Sequence, residues 1–335
     1  MTEKIVTIIV PTYNMEKYIG RCIESAIIPS IESIEVIVVN DGSTDNSHEI
    51  ASEYADKYPD SIRVIDKGNG HYGTTINAGL KVARGKYMRI MDADDYFEEG
   101  ALEKFVQLLA NCDTDLVVTA KREELLEDGK FRLVRVENVE YGKVYDYPSF
   151  RVTDYSTWKG EFNMHTMTFK TALLRECGLN LPGGVCYTDM IYCMQPLDRI
   201  KTLVIYDLVL YHYNIGREGS STTQQVIKRN LKHICTVLTY MLDYCEQHPS
   251  TEIIQANRNR HINEAFDFFL NSIMRHDFVG REEYELVCPI LYKIKKLNIK
   301  NKRISKYYIK PWVENPSLLR LNFWLTIYKI GHPLK

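Results

Sequence analysis

Three carboxylates close a short apolar strand in Lys86-Tyr87-Met88-Arg89-Ile90-Met91-Asp92-Ala93-Asp94-Asp95-Tyr96-Phe97. Like charges packed this closely oppose one another's ionisation unless a positive charge sits among them. A hard divalent cation, Mg²⁺ or Mn²⁺, takes oxygen ligands of this kind, and Mg²⁺ usually binds one or two carboxylates together with substrate phosphates. The plain alternative is a solvated acidic loop capping the helix that starts near Glu98. In open α/β sheets, ligands bind beyond the carboxyl ends of the strands, and the cluster falls at that end of its own strand.

The elements that must position these groups follow from patterning. Val6 to Val10 and Ile34 to Val39 are continuous, β-branched apolar runs, as expected of strands buried on both faces. Further strands are expected at Ile62 to Ile65 and Asp115 to Thr119. Helical spacing marks residues near 18–26, the stretch ending at about Tyr58, and the segments at about 74–84 and 99–110. Strands alternating with helices predict a mostly parallel sheet with helices on both faces. Polar residues gather at the strand C-ends: Thr12 to Asn14, Asn40 to Asp45, Lys67 to Tyr72 and Asp92 to Asp95. One crevice can receive all four loops. No GxGxxG follows the first strand and no GxxxxGK[ST] occurs, so a nucleotide bound here would rely on carboxylates and a metal.

Bulk properties exclude other classes. A net charge of −2 over 335 residues gives no reason to expect nucleic acid as a partner. Eight cysteines without a CxxC pair, and an N-terminus lacking a signal-peptide pattern, predict free thiols in a cytoplasmic protein. No apolar run reaches 18 residues, so no membrane-spanning helix is expected.

Four motifs in order then carry a resemblance. They are Val10-Pro11-Thr12-Tyr13-Asn14, Val39-Asn40-Asp41-Gly42-Ser43-Thr44-Asp45, Asn77-Ala78-Gly79-Leu80 with Ala83-Arg84-Gly85-Lys86-Tyr87, and Met91-Asp92-Ala93-Asp94-Asp95. Across residues 4–120 they resemble the family 2 glycosyltransferases of GT-A fold, of the bacterial surface-polysaccharide type. The resemblance implies a nucleotide-diphosphate-sugar donor, most often a UDP-sugar, and an inverting transfer to a hydroxyl of a glycan or lipid-linked acceptor. It implies a hexosyl- or N-acetylhexosaminyl-transferase using Mn²⁺ or Mg²⁺. Pro11, Thr12 and Tyr13 would line the nucleobase and ribose pocket, and Asp41 would accept a hydrogen bond from the base. Asp92 and Ala93 would sit against the ribose or sugar, and Asp94 with Asp95 would hold the metal. Thr12 and Asn14 also read as turn residues, and Asp45 as a helix cap.

The family also places its general base at a helix start after a Glu-Asp pair. Here the pair is Thr188-Asp189, followed by Tyr192, so Asp189 keeps the second position. Arg217, beyond the Leu208 to Tyr213 strand, would stabilise the leaving phosphates, and His212 is either a further metal ligand or a strand histidine with a structural role. His165 and His71 read as structural or acceptor-facing. Two competing classes remain: a nucleotidyltransferase, which would need a Gly-rich basic loop after the first strand, and a non-catalytic sugar-nucleotide or glycan-binding module of the same fold.

Residues 131–144 alternate and predict a hairpin or paired edge strands, Phe162 to Phe169 another strand, and 203–206 and 208–213 two more. The expected organisation is a GT-A domain over 1–220, with a nucleotide-sugar half (1–120) and an acceptor half (121–220), then a helical region over 221–335. The basic run from Lys293 to Lys310 and the apolar segment from Leu318 to Ile330 suit an anionic inner membrane face, docking on the chain itself, or oligomerisation.

Overall fold

The computed structural model describes residues 3–127, 129–150, 162–217, 221, 224–274, 279–299 and 317–323. The chain divides into two compact units, Met1–Arg217 and Glu218–Lys335.

The first unit is an α/β sandwich. In chain order it contains β1 (Val6–Thr12), α1 (Ile19–Ser25), β2 (Ile34–Asn40), α2 (Ser47–Lys57), β3 (Ile62–Asp66), α3 (Tyr72–Val82), β4 (Tyr87–Ile90), β5 (Tyr96–Phe97), α4 (Ala101–Ala110), β6 (Leu116–Leu125), β7 (Lys130–Val134), β8 (Val144–Asp146), β9 (Met167–Lys170), α5 (Thr171–Glu176), α6 (Asp189–Met194) and β10 (Thr202–Ile215). The strands form one mixed, mostly parallel sheet in the order β3-β2-β1-β4-β9-β6-β10-β5, with β7 beside β6 and β8 beside β10. β1 pairs in parallel with both β2 and β4, so strand order reverses at β1 and opens a crevice at its C-end. The motifs after Thr12 and after Ile90 both empty into that crevice.

Every residue of β1 and β2 is buried, which accounts for their unbroken apolar runs. Val6, Ile8, Val10, Val36 and Val38 pack with residues of α1 and α4 on one face. On the other face Ile9 meets α3 so closely that a Cβ on Gly79 would lie 2.6 Å from the Ile9 Cδ1 atom. Helices therefore cover both faces.

Residues 131–144 give the pair of edge strands and not the hairpin: β7 runs antiparallel to β6, while β8 pairs with β10. Two expectations differ from the structure. The two strands expected at 203–213 are one strand, β10, bent by register shifts between Ile205 and Tyr211. The strand expected at 162–169 is shorter, β9 from Met167 to Lys170, because residues 163–166 close a turn through Thr166 N–H and Asn163 O.

The second unit is helical: α7 (Gln224–Arg229), α8 (Leu231–Gln247), α9 (Glu252–Met274) and α10 (Arg281–Lys296). Ile234, Leu238 and Met241 are buried on α8, Phe266, Phe269 and Ile273 on α9, and Ile290 and Ile294 on α10. Their spacing is the helical stripe seen in the sequence. Lys293 and Lys296 pair with Asp243 and Glu246 of α8. The basic residues from Lys300 to Lys310 and the segment from Trp324 onward lie outside the described residues. Leu319 and Phe323 are exposed. Among the described residues no helix is long and apolar enough to cross a membrane, and the eight cysteines are free thiols.

Candidate active site

The crevice is built first by β1 and β2. Pro11 and Thr12 are the buried end of β1, and Tyr13, the next residue, is 46% exposed. Asn14 has a left-handed φ of 53° and its side-chain oxygen accepts the Thr44 N–H at 2.8 Å, tying the first loop to the second. Asp45 accepts the amides of Glu16 and Ser47, at 3.0 and 3.1 Å, as a turn residue would. Asp41 is different. It is 3% exposed, and its Oδ1 takes both the Lys67 ammonium and the Gly70 N–H, the latter at 2.9 Å. The Gly-rich loop thus folds over Asp41.

The second part is the acidic turn after β4. Tyr72 O–H donates to Asp92 Oδ1 at 2.6 Å, and His165 Nε2 stands 3.6 Å from Asp92 Oδ2. Arg217 Nε donates to Asp94 Oδ2 at 2.6 Å. Asp95 is 2% exposed and accepts the Tyr211 hydroxyl at 2.7 Å and the Asn214 N–H at 2.9 Å. The Tyr211 hydroxyl oxygen also accepts the Asp92 N–H at 3.0 Å, so one phenol ties the two ends of the turn together.

The charge in this turn is not settled. Burial, then the charges of Asp92 and Asp94, push Asp95 well above the usual carboxylate range, against the Asn214 and Tyr211 hydrogen bonds. Burial and then Asp92 raise Asp94 as well, with Arg217 pulling the other way. The Tyr72 hydroxyl is raised by burial, then by Asp92 and Asp189, and Tyr211 by burial, then Asp95 and Asp92. Burial lowers His165 below the ordinary imidazole value, with Asp92 pulling the other way. Asp92, Asp95 and His165 each offer a ligand atom, all within 4.8 Å of one another. Two hard oxygens and an imidazole at that spacing, in a surplus of negative charge, fit a divalent cation.

Asp189 is the first residue of α6, reached through Tyr187 at a left-handed φ of 67°. Its charge raises the hydroxyls of Tyr72 and Tyr213, the same rings that feel Asp92. Tyr192, one turn on, is fully buried edge-on against Phe169 and anchors the helix. The structure therefore brings Asp92, Asp94, Asp95, Arg217 and Asp189 around one crevice. It brings neither Asp94, which pairs with Arg217, nor the His212 imidazole into the cation group of Asp92, Asp95 and His165. That ring stacks on Tyr96 at 4.5 Å, and its nitrogens meet Glu124 and Glu98 at 2.9 and 2.6 Å. His165, read from the sequence as structural or acceptor-facing, takes that place instead.

Tyr72, Tyr211 and Asn214 were not among the residues singled out. A signal existed for Tyr211, which shares a period-2 face of β10 with Tyr213. Nothing local marks Tyr72, whose partner lies 20 residues away.

A family model described as "Glycosyl transferase family 2" matches residues 7–177. The uncharacterized glycosyltransferase EpsJ of Bacillus subtilis is 41% identical over 113 residues, which are 34% of this chain and 33% of EpsJ. The chondroitin synthase of Pasteurella multocida is 25% identical over 307 residues, 90% of this chain and 28% of the synthase. The chain thus spans about a third or less of the length of these curated relatives. Among solved structures, S. aureus TarS 1–349 in complex with UDP-GlcNAc is similar with a TM-score of 0.70 at 18% identity, covering 99% of this chain and 93% of that one. That likeness is one of fold, the GT-A-like arrangement expected from the motifs.

Proposed function

The chain belongs to glycosyl transferase family 2, and from that premise we propose that it moves a hexosyl or N-acetylhexosaminyl group from a UDP-sugar to a hydroxyl of a glycan or lipid-linked acceptor, with inversion, in cell-surface polysaccharide synthesis. The observation that carries the reading is the acidic turn: three carboxylates at the reversal point of the sheet, two of them raised by burial and then by the charge of Asp92, with Arg217 against Asp94. The S. aureus TarS structure in complex with UDP-GlcNAc supports the choice of nucleotide.

Asp92, Asp95 and His165, with Asp94 beside them, would hold Mn²⁺ or Mg²⁺. When bound, such a cation offsets charge on the diphosphate and improves it as a leaving group. The other steps belong to the chain. Asp41 accepts an N–H of the base, beside the ring of Tyr13 and the turn of Pro11 and Thr12. Asp92 and Ala93 border the ribose and sugar. Arg217 turns its planar donor fork to the phosphates as negative charge grows there. Asp189 takes the proton of the acceptor hydroxyl as its oxygen bonds to the anomeric carbon, while the bond from that carbon to the diphosphate oxygen breaks and its electron pair leaves with the diphosphate. A single displacement of this kind inverts the centre. The work would take place in the cytoplasm, with the C-terminal end at the inner membrane face.

A thermal-shift screen tests the reading. Purified protein is heated with UDP, GDP, CDP or dTDP, each with Mn²⁺ or with EDTA. UDP with Mn²⁺ is expected to raise the midpoint, since a ligand that binds only the folded state stabilises it by mass action. A shift with another nucleotide would replace UDP in the proposal. No shift with any, from folded protein, would overturn it. Nucleotide binding without sugar release, when the matching nucleotide sugar is supplied, would mark a non-catalytic module.

A further inference from the structure

The loop that delivers Asp189 is not held by its own helix, which has only six residues. It is held by α3. Asn77 brackets Leu181: its Oδ1 accepts the Leu181 N–H at 2.9 Å, and its Nδ2 donates to Leu181 O at 2.8 Å and to Asn180 Oδ1 at 3.0 Å. One turn earlier on the same face, Gly73 faces both ends of the loop. A Cβ there would lie 2.8 Å from Leu181 Cβ and from Pro182 O, and 3.0 Å from the Thr188 hydroxyl, the residue just before Asp189. Residues four apart on a helix share a face, so Gly73 and Asn77 form one rail. At the far end of α3, Arg175 donates to Leu80 O and Ala83 O at 2.9 and 2.7 Å. Gly70, whose N–H bonds Asp41, uses its carbonyl to accept the Gly184 N–H at 3.0 Å. The same helix carries Tyr72 to Asp92.

We propose that Asn77 is a positioning residue for Asp189: by gripping Leu181 it fixes the 180–188 loop on α3, and so sets the distance of the Asp189 carboxylate from the acceptor hydroxyl. This rests on the reading of Asp189 as the base. Small misplacements of a catalytic group cost heavily, about a hundredfold for 1 Å, so a side chain that touches no substrate controls turnover here.

The test uses the full chain as wild type, Asn77→Ala, Gly73→Ala and Asp189→Asn. Alanine favours helix more than either residue it replaces, so α3 survives in both helix variants. Amide hydrogen exchange and the hydrolysis of UDP-N-acetylglucosamine with Mn²⁺ are followed in parallel. In Asn77→Ala, amides of residues 180–189 are expected to exchange about tenfold faster, with β3 unchanged, while kcat falls by about ten- to a hundredfold at an unchanged donor KM. Gly73→Ala, which removes no hydrogen bond but pushes on Leu181, Pro182 and Thr188, is expected to lower kcat in the same way. Unchanged exchange in Asn77→Ala overturns the latch whatever the donor. A wild-type kcat in Asn77→Ala, alongside an inactive Asp189→Asn, overturns the positioning role. Normal turnover by Asp189→Asn overturns the base reading itself, and with it the role of Asn77.

Discussion

Glu35 and Asp95 are both buried carboxylates of the same sheet, at opposite ends of its strands. Glu35 lies at the N-terminal end, with Thr7 O–H at 2.6 Å, Arg84 Nε at 2.7 Å, the Arg84 N–H at 2.8 Å and Arg63 at 3.0 Å. Burial works to raise it, but the Thr7 and Arg84 hydrogen bonds and the Arg63 charge outweigh that and hold it below the ordinary range. Asp95 lies at the C-terminal end, among two further carboxylates, and is driven up. Glu35 has hydrogen-bond and cationic partners on every side, whereas among the described residues no cationic side chain is paired with Asp95. A compensated buried charge is part of the scaffold. An uncompensated one, at the reversal point of an α/β sheet, is a place kept for something that arrives from solution.

The contrast can be broken from either end. The largest effect is expected at the open end: Asp94→Ala should lower sugar transfer by about a thousandfold or more, the several kcal/mol that a metal-held charge contributes to a transition state, while circular dichroism shows an intact fold. At the closed end, Glu35→Ala should remove the buried acceptor of Thr7 and Arg84 and destabilise the protein by about 1–3 kcal/mol. Denaturant unfolding measures this, and turnover per folded molecule should be unchanged.

The pH dependence sharpens the same point. Because the folded-state pKa of Glu35 is depressed, its stabilisation is present above the unfolded value of about 4.3 and is lost as pH falls through the lower folded value. The gap in stability between wild type and Glu35→Gln should therefore narrow below about pH 4. The smallest effect is expected at Asp95. Replacing it by Asn removes an unsettled charge and weakens one or two hydrogen bonds, so without metal the stability should move by about 1 kcal/mol at most, in contrast to Glu35→Ala.

The half of this site carried by β1, β2 and β4 was legible in the sequence because its residues sit directly after buried strands. Once Val6 to Val10 and Ile34 to Val39 are strands of a parallel sheet, Thr12, Asp41 and Asp92 must share its C-terminal edge. The other half depends on long-range pairing. His212 meets Glu98 because β10 runs against β5, and Glu124 because it runs beside β6. No local pattern specifies either register. His165 reaches Asp92 through the turn at 163–166, where alternation alone suggested a continuing strand. β7 and β8 found separate partners for the same reason. Asp189 lies beyond residues 7–177, the stretch the family model matches, and only the resemblance marks it, Thr188-Asp189 with Tyr192 standing where the family has Glu-Asp and an aromatic.

In the proposed mechanism, cooperative binding of a divalent cation and the nucleotide at the acidic turn would carry the chemistry. It is tested most directly by Mn²⁺ binding, followed through loss of the free-ion paramagnetic resonance signal, in wild type and Asp94→Ala, with and without UDP. The account predicts that UDP tightens Mn²⁺ binding at least about tenfold in wild type, a coupling of about 1.4 kcal/mol, and that Asp94→Ala loses this coupling. Mn²⁺ affinity that ignores UDP, or coupling that survives in Asp94→Ala, would contradict it.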